Sequence, residues 1–269
     1  MKRKVFVSPS RTIDNLEEFK HYILAENPPQ IIIGGLCFKF CHDDYISKTD
    51  FERVIVCKHL RDMFGNYINL YLEKPFHNVL EFGIHQGGSA LFYASIFDEI
   101  KKLVAVDIIG SDPIVDKIIK ENDLSERVKL YWETSQDSQK VLDIINNEFE
   151  DGIDVIIDDC SHRYDLTKKT FEMTFPLLKP GGLYCIEDWG WAHWGEILGI
   201  DSQFDSLPAL TNLLFEIIAI LATTWNNVVS NINIINGCLA VIERGPAEIP
   251  MPFDVDSLYK FRGKKIIKL

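Results

Sequence analysis

The sequence predicts an α/β fold: a mostly parallel sheet with an antiparallel edge hairpin and helices on both faces. Three observations carry this expectation. From residue 78 onward, apolar runs of strand length alternate with stretches of helical periodicity, as in strands joined by helical crossovers. The runs are almost continuously apolar, as in strands buried on both faces. Each of the runs that matter ends in glycine or an acidic residue, and open sheets of this kind bind ligands at the carboxyl ends of their strands.

Residues 78–82 read as the first of these strands, stopped by Gly83, with a helix over 89–97. A strand over 103–106 ends at Asp107 and leads to a helix over 112–121. A strand over 128–132 precedes a helix over 136–148. The next, 155–157, ends at Asp158-Asp159 and is followed by a helix over 166–178; the fifth, 183–186, ends at Glu187-Asp188. Residues 228–235 and 237–243 supply the edge hairpin. Upstream, residues 1–72 read as an irregular and helical extension on the substrate side, and 73–269 as the main domain. The extension holds a short helix over 16–25 and an apolar run at 31–33 closed by Gly34-Gly35. A longer amphipathic helix is expected over 51–72, with Phe51, Val54, Val56, Leu60, Met63, Tyr67 and Leu70 on its apolar positions. The apolar stretch 210–224 contains Glu216 and is shorter than the roughly 20 residues that span a bilayer, so it reads as a buried or interface helix.

Forty acidic residues against 28 basic ones give a formal net charge of -12, which argues against a nucleic-acid partner, since phosphate backbones call for a basic surface. The six cysteines have no CxxC pairing and read as thiols of a reducing compartment; Cys37, Cys41 and His42 are the one grouping of metal-ligand types among them. The first ten residues lack the apolar segment of an export signal, so the expected location is cytoplasmic, off the membrane.

Residues 81–89 read Glu-Phe-Gly-Ile-His-Gln-Gly-Gly-Ser, a glycine-bearing turn between a strand and a helix. Glu81, Gly83, Gln86, Gly87 and Ser89 are candidates for a cofactor cradle, because glycine allows a tight turn and close approach of a ligand to backbone. The glycine spacing is not G-x-G-x-x-G and no lysine follows, which excludes a full dinucleotide signature and a triphosphate loop. Asp107, ending the next strand, is placed to bind ribose hydroxyls. Ser135, Gln136 and Asp137 follow the third strand and are candidates for an adenine edge, with helix capping the alternative for Asp137.

Asp158-Asp159-Cys160-Ser161-His162 is the sharpest cluster in the chain. Adjacent parallel strands would bring Asp159 beside Asp188, and hard divalent cations such as magnesium prefer carboxylate oxygens. Asp159, Glu187 and Asp188 are the expected metal ligands, and His162, whose imidazole can take a proton, the expected proton acceptor. Trp189, Trp191, His193 and Trp194 follow at once and suggest the wall of a pocket for a sugar-like or aromatic group.

On residues 79–89, 155–162 and 175–188 the chain resembles the class I S-adenosylmethionine-dependent methyltransferases. More narrowly it is similar to the metal-dependent sugar O-methyltransferases of macrolide biosynthesis, of the mycinamicin and macrocin type, whose relatives often carry the label cephalosporin hydroxylase. The resemblance covers roughly residues 78–194 and implies a Rossmann-like methyltransferase sheet. It implies that Glu81, Gly83, Ser89 and Asp107 hold S-adenosylmethionine, that Asp159 and Asp188 bind magnesium, and that His162 with Asp159 forms the catalytic pair. Gln86, Gly87, Ser135, Gln136, Asp137 and Asp158 complete the expected cofactor contacts, and Glu187 the metal set. The acceptor is then a hydroxyl of a sugar, a glycoside or a nucleotide-linked sugar, and the apolar 210–224 helix suggests a homo-oligomer. The competing readings are a non-heme iron oxygenase, whose metal needs two histidines and a carboxylate, and a non-catalytic cofactor-binding protein.

Overall fold

The computed structural model describes residues 5–8, 11–41, 48–193, 207–223 and 227–259. Contacts group the chain into two compact units, Met1–Val79 with Ile84–Glu133, and Leu80–Gly83 with Thr134–Leu269.

The first unit opens with β1 (Val5–Ser8), β2 (Arg11–Ile13), α1 (Leu16–Glu26), β3 (Gln30–Ile33), β4 (Leu36–Phe40) and β5 (Val54–Val56). These five strands form a sheet of order β2-β1-β3-β4-β5, so the extension expected to be irregular is a sheet. Gly34 (φ 58) and Gly35 (φ 95) form the two-residue turn of the β3–β4 hairpin, where both central residues need positive φ. Asn15 caps α1 by accepting from Glu18 N at 2.8 Å, and Asn27 closes it in the left-handed conformation. The helix expected over 51–72 is also corrected. Val54-Ile55-Val56 are wholly buried and pair in parallel with β4; a π-helical turn, Leu60–Phe64, precedes α2 (Gly65–Glu73). Three consecutive β-branched residues, all buried, fit a strand better than one stripe of a helix.

The same unit continues through α3 (Gly88–Ile96), β7 (Lys102–Val106), α4 (Pro113–Glu121) and β8 (Val128–Tyr131), after the strand β6 (Asn78–Phe82), which contributes its first two residues. Phe92 of α3 meets Phe38 and Phe40 edge-on, at ring-centroid separations of 5.2 Å and 5.2 Å, and Phe64 at 4.5 Å. This aromatic cluster seals the small sheet to α3. Gly88 is part of the seal: a Cβ there would lie 2.0 Å from the Ile55 carbonyl oxygen.

The second unit holds α5 (Gln139–Glu148), β9 (Ile153–Asp158), α6 (Tyr164–Thr174), β10 (Leu178–Glu187), the helix Thr211–Leu221, β11 (Val229–Ile235), β12 (Leu239–Arg244) and a short helix, Val255–Tyr259. β9 and β10 are parallel, while β10–β12 and β12–β11 are antiparallel, so the late edge hairpin is as expected. The hydrogen-bonded strand order is β11-β12-β10-β9-β6-β7-β8, a mostly parallel sheet with an antiparallel edge, flanked by helices. No helix among the described residues is long and apolar enough to cross a membrane. No disulfide joins the six cysteines, and His42 lies outside the described residues.

Candidate active site

In the first unit Asp107, at the end of β7, organises the loop after β6. Its Oδ2 accepts from Ile84 N at 2.7 Å and His85 N at 2.9 Å, and its Oδ1 from Ile109 N at 3.1 Å. An ionised carboxylate has about four lone-pair sites, so capacity remains for hydroxyl donors. The loop is tight: His85 has φ 46 and Gly87 φ 74, and a Cβ on Gly87 would lie 2.5 Å from Val115 Cγ1. Ser89, in the first turn of α3, is buried. Gln86 is turned to the chain upstream, its Oε1 accepting from Thr49 N at 2.6 Å.

In the second unit the end of β6 lies against the end of β9. Asp159 N donates to Phe82 O at 2.9 Å, and a Cβ on Gly83 would lie 2.0 Å from the Asp159 carbonyl oxygen. The glycine serves the contact between these two backbones, a role the turn reading overlooked. Glu81 is fully buried. Of the expected adenine contacts, Gln136 is spent inside the protein: its Nε2 donates to Thr170 Oγ1 at 2.9 Å and its Oε1 accepts from Cys160 Sγ at 2.8 Å. Ser135 Oγ donates to Asp137 Oδ1 at 2.6 Å, and Lys169 Nζ reaches Asp137 Oδ2 at 2.8 Å. Lys169 and then Ser135 hold the Asp137 carboxyl below the usual carboxylate range. Asp158 faces the interior, accepting from Tyr184 OH at 2.7 Å, and burial pushes its carboxyl up to about 6.

The chelating groups converge where the two parallel strands end. Ligand atoms of Asp159, His162 and Asp188 all lie within 4.8 Å of one another. His162 Nε2 is 3.9 Å from Asp159 Oδ1, and its Nδ1 is 3.4 Å from the Glu187 carbonyl oxygen. His162 (φ 52) and Asp188 (φ 50) both sit in the left-handed region, which is uncommon for residues with a side chain and occurs at functional sites. Asp188 is held by its amide, which donates to Cys238 O at 2.6 Å. Glu187, expected as a third ligand, is not in the cluster; it is 1% exposed within β10, and successive strand residues point to opposite faces. Trp191 lies against His162 in a tilted ring contact, at a ring-centroid separation of 4.2 Å and an interplanar angle of 32°. His193 Nε2 and Thr211 Oγ1 are hydrogen-bonded at 2.6 Å. Trp194 lies outside the described residues.

Two carboxylates and an imidazole at this spacing form a fitting site for a hard divalent cation. Magnesium prefers oxygen ligands and keeps several waters, which suits two protein carboxylates. The donor set is the reverse of the two-histidine, one-carboxylate triad of non-heme iron oxygenases.

The sequence model of a methyltransferase-domain family matches residues 80–189. No curated protein sequence matches the chain significantly. Among solved structures, the MycE methyltransferase from the mycinamycin biosynthetic pathway, in complex with Mg and SAH, aligns at 26% identity and a TM-score of 0.50 over 71% of this chain and 52% of that one. Its complex with Mg, SAH and mycinamycin VI aligns with the same figures. A second crystal form gives 24% identity and a TM-score of 0.50 over 75% of this chain and 55% of that one. The chain therefore spans about half the length of these three structures.

Proposed function

We propose, from the premise that this chain is a class I methyltransferase, that it moves a methyl group from S-adenosylmethionine to a hydroxyl of a sugar-bearing small molecule, with magnesium held at Asp159 and Asp188. The observation that carries the reading is the convergence of Asp159, His162 and Asp188 at the ends of neighbouring parallel strands. The solved MycE complexes, which contain Mg and SAH and in one case mycinamycin VI, support the same chemistry.

The ribose hydroxyls of S-adenosylmethionine are assigned to Asp107, whose orientation is already fixed by three backbone amides. Bound magnesium would stabilise a developing alkoxide, lowering the cost of ionising a hydroxyl that an imidazole deprotonates poorly alone. His162 takes that proton at Nε2, the nitrogen nearer Asp159. Trp191 fixes the plane of the imidazole by lying against it. Holding the hydroxyl in line with the sulfonium methyl supplies much of the acceleration through proximity.

The acceptor is a small molecule rather than nucleic acid, in keeping with the net charge of -12. Self-association belongs to the same proposal: Phe215 and Ile218 of the helix Thr211–Leu221 are exposed, and closed symmetric pairing is the common way to cover such residues. Calorimetry with S-adenosylhomocysteine and with NAD tests the cofactor assignment. S-adenosylhomocysteine should bind and NAD should not; binding of NAD alone would refute it.

A further inference from the structure

We propose that the helix Thr211–Leu221 is a brace for His162, with Glu216 as the positioning residue through which it acts. The methyl-transfer consequence of this proposal rests on the function proposed above; the bracing itself does not.

Glu216 is the single charged residue of a helix otherwise rich in leucine and isoleucine, and its side chain is 1% exposed. It reaches α6 at the turn just after His162. Tyr164 OH donates to Glu216 Oε1 at 2.7 Å, and Lys168 Nζ lies 3.0 Å from Glu216 Oε2 and 3.2 Å from Tyr164 OH. Lys168 also bonds Asp256, and Glu172 Oε1, one turn further along α6, accepts from Val255 N at 3.0 Å. The short C-terminal helix is thereby tied to the same side of α6.

The opposite end of the brace reaches the other strand-end loop. Thr211 opens the helix and is bonded to His193, in the 3-10 turn Trp191–His193 that follows Asp188. Trp191 in that turn lies against His162. One rigid helix thus holds both walls of the imidazole: the α6 turn that carries it and the tryptophan against it. His162 needs such support because its own backbone is in the left-handed region, where a non-glycine residue is strained and persists only when its surroundings hold it.

Stability alone does not account for Glu216. Replacing a buried ion pair by apolar residues of similar volume is often neutral or stabilising, so an apolar helix of this kind does not need the pair to stay folded. What an apolar replacement lacks is direction: hydrogen bonds to Tyr164 and Lys168 fix one register of the helix on α6, and dispersion contacts permit several.

The test uses the full chain carrying the paired substitution Lys168→Met and Glu216→Met, which leaves no unpartnered charge between the two. Two quantities are read. The first is the chemical shift of the His162 Hδ2 proton, assigned with His162→Gln, which the Trp191 ring current displaces upfield in the parent. The second is methyl transfer to an accepted sugar hydroxyl. The paired variant should melt near the parent, lose the upfield displacement, and lose about 10–100-fold in kcat, as is usual for groups that orient a reacting residue, with KM for S-adenosylmethionine within about twofold. An unchanged His162 shift overturns the proposal, whatever the rate. A lost shift with kcat unchanged overturns it too, since the positioning would then be idle. A parent that transfers no methyl group while the variant loses the shift leaves the brace standing and refutes the proposed function instead. Should the paired variant fail to fold, Tyr164→Phe, which deletes the hydroxyl bonded to Glu216 and little else, decides by the same two readings.

Discussion

Gly83→Ala probes the backbone contact on which the metal site stands. Gly83 has φ 105, and the added Cβ would lie 2.0 Å from the Asp159 carbonyl oxygen and 2.9 Å from its carbonyl carbon. Backbone cannot swing aside as a side-chain tip can, so β6 and the Asp159 backbone must separate. The conformational term is about 1–3 kcal/mol for a non-glycine residue in that region of backbone space. Forcing an extra methyl into a packed site adds about 1–3 kcal/mol more. The sum, about 2–6 kcal/mol, is a large share of the roughly 5–15 kcal/mol by which folded proteins exceed their unfolded states. At about 2–4 °C per kcal/mol for a chain of this size, the melting temperature should fall by about 4–24 °C. Gly35→Ala is the internal control. Its φ is 95 but nothing lies within 4 Å of the added Cβ, so it should show the conformational term alone. Thermal unfolding by circular dichroism, followed by manganese binding to the folded fraction, reads both consequences. If Gly83→Ala melts no lower than Gly35→Ala, the close contact with Asp159 does not constrain the fold and the reasoning fails.

Asp107→Ala should weaken S-adenosylhomocysteine binding by at least about tenfold in calorimetry, since a hydrogen bond to a charged group is worth roughly 1.5–3 kcal/mol; unchanged affinity would move the ribose elsewhere. Asp159→Asn and Asp188→Asn should each abolish manganese binding by paramagnetic resonance, while Glu187→Gln should retain it, and a reversed pattern would restore Glu187 to the metal set. Asp158 gives a pH-dependent result. Its folded carboxyl is pushed up to about 6 from the ordinary carboxylate range, so the folded chain binds the extra proton below that pH and bears the cost of a buried anion above it. Asp158→Asn should then stabilise the metal-free chain at pH 8, by at most about 3 kcal/mol at 1.36 kcal/mol per pH unit, and leave it nearly unchanged at pH 4. Urea titrations at the two pH values check this, and a gain confined to pH 4 would contradict it.

Much of this architecture is legible in the sequence because the signals are local. Apolar runs such as Val155–Ile157 announce strands by themselves, and a carboxylate at a strand end is read from its neighbours. The Asp159, His162 and Asp188 grouping needs only one further assumption, that β9 and β10 are adjacent, and they are. What escaped is what depends on distant chain. The five-stranded sheet of the first unit pairs short segments, and Val54-Ile55-Val56 is only three residues long, so apolar residues further along, at Leu60, Met63, Tyr67 and Leu70, draw it into a helical reading although its own β-branched run favours a strand. Gln136 and Gln86 have the residue types of ligand contacts, yet they serve Cys160 with Thr170, and Thr49. Asp158 and Asp159 are neighbours in sequence but differ by strand alternation, one turned to Tyr184 and the other to the metal cluster. Glu216 was visible as an anomaly in an apolar run, but nothing local pointed to Tyr164 and Lys168.

The proposed chemistry is a metal-assisted deprotonation of a sugar hydroxyl with His162 as base. The most direct measurement is transfer of isotopically labelled methyl from S-adenosylmethionine to a panel of glycosides, glycosylated macrolides and nucleotide-linked sugars, with magnesium and with excess chelator, in the parent chain and in His162→Ala. At least one acceptor should be methylated in a reaction that chelator abolishes and magnesium restores, and His162→Ala should lose about 100–10,000-fold in rate with S-adenosylmethionine affinity retained. Full transfer in metal-free protein, or full activity in His162→Ala, would contradict it.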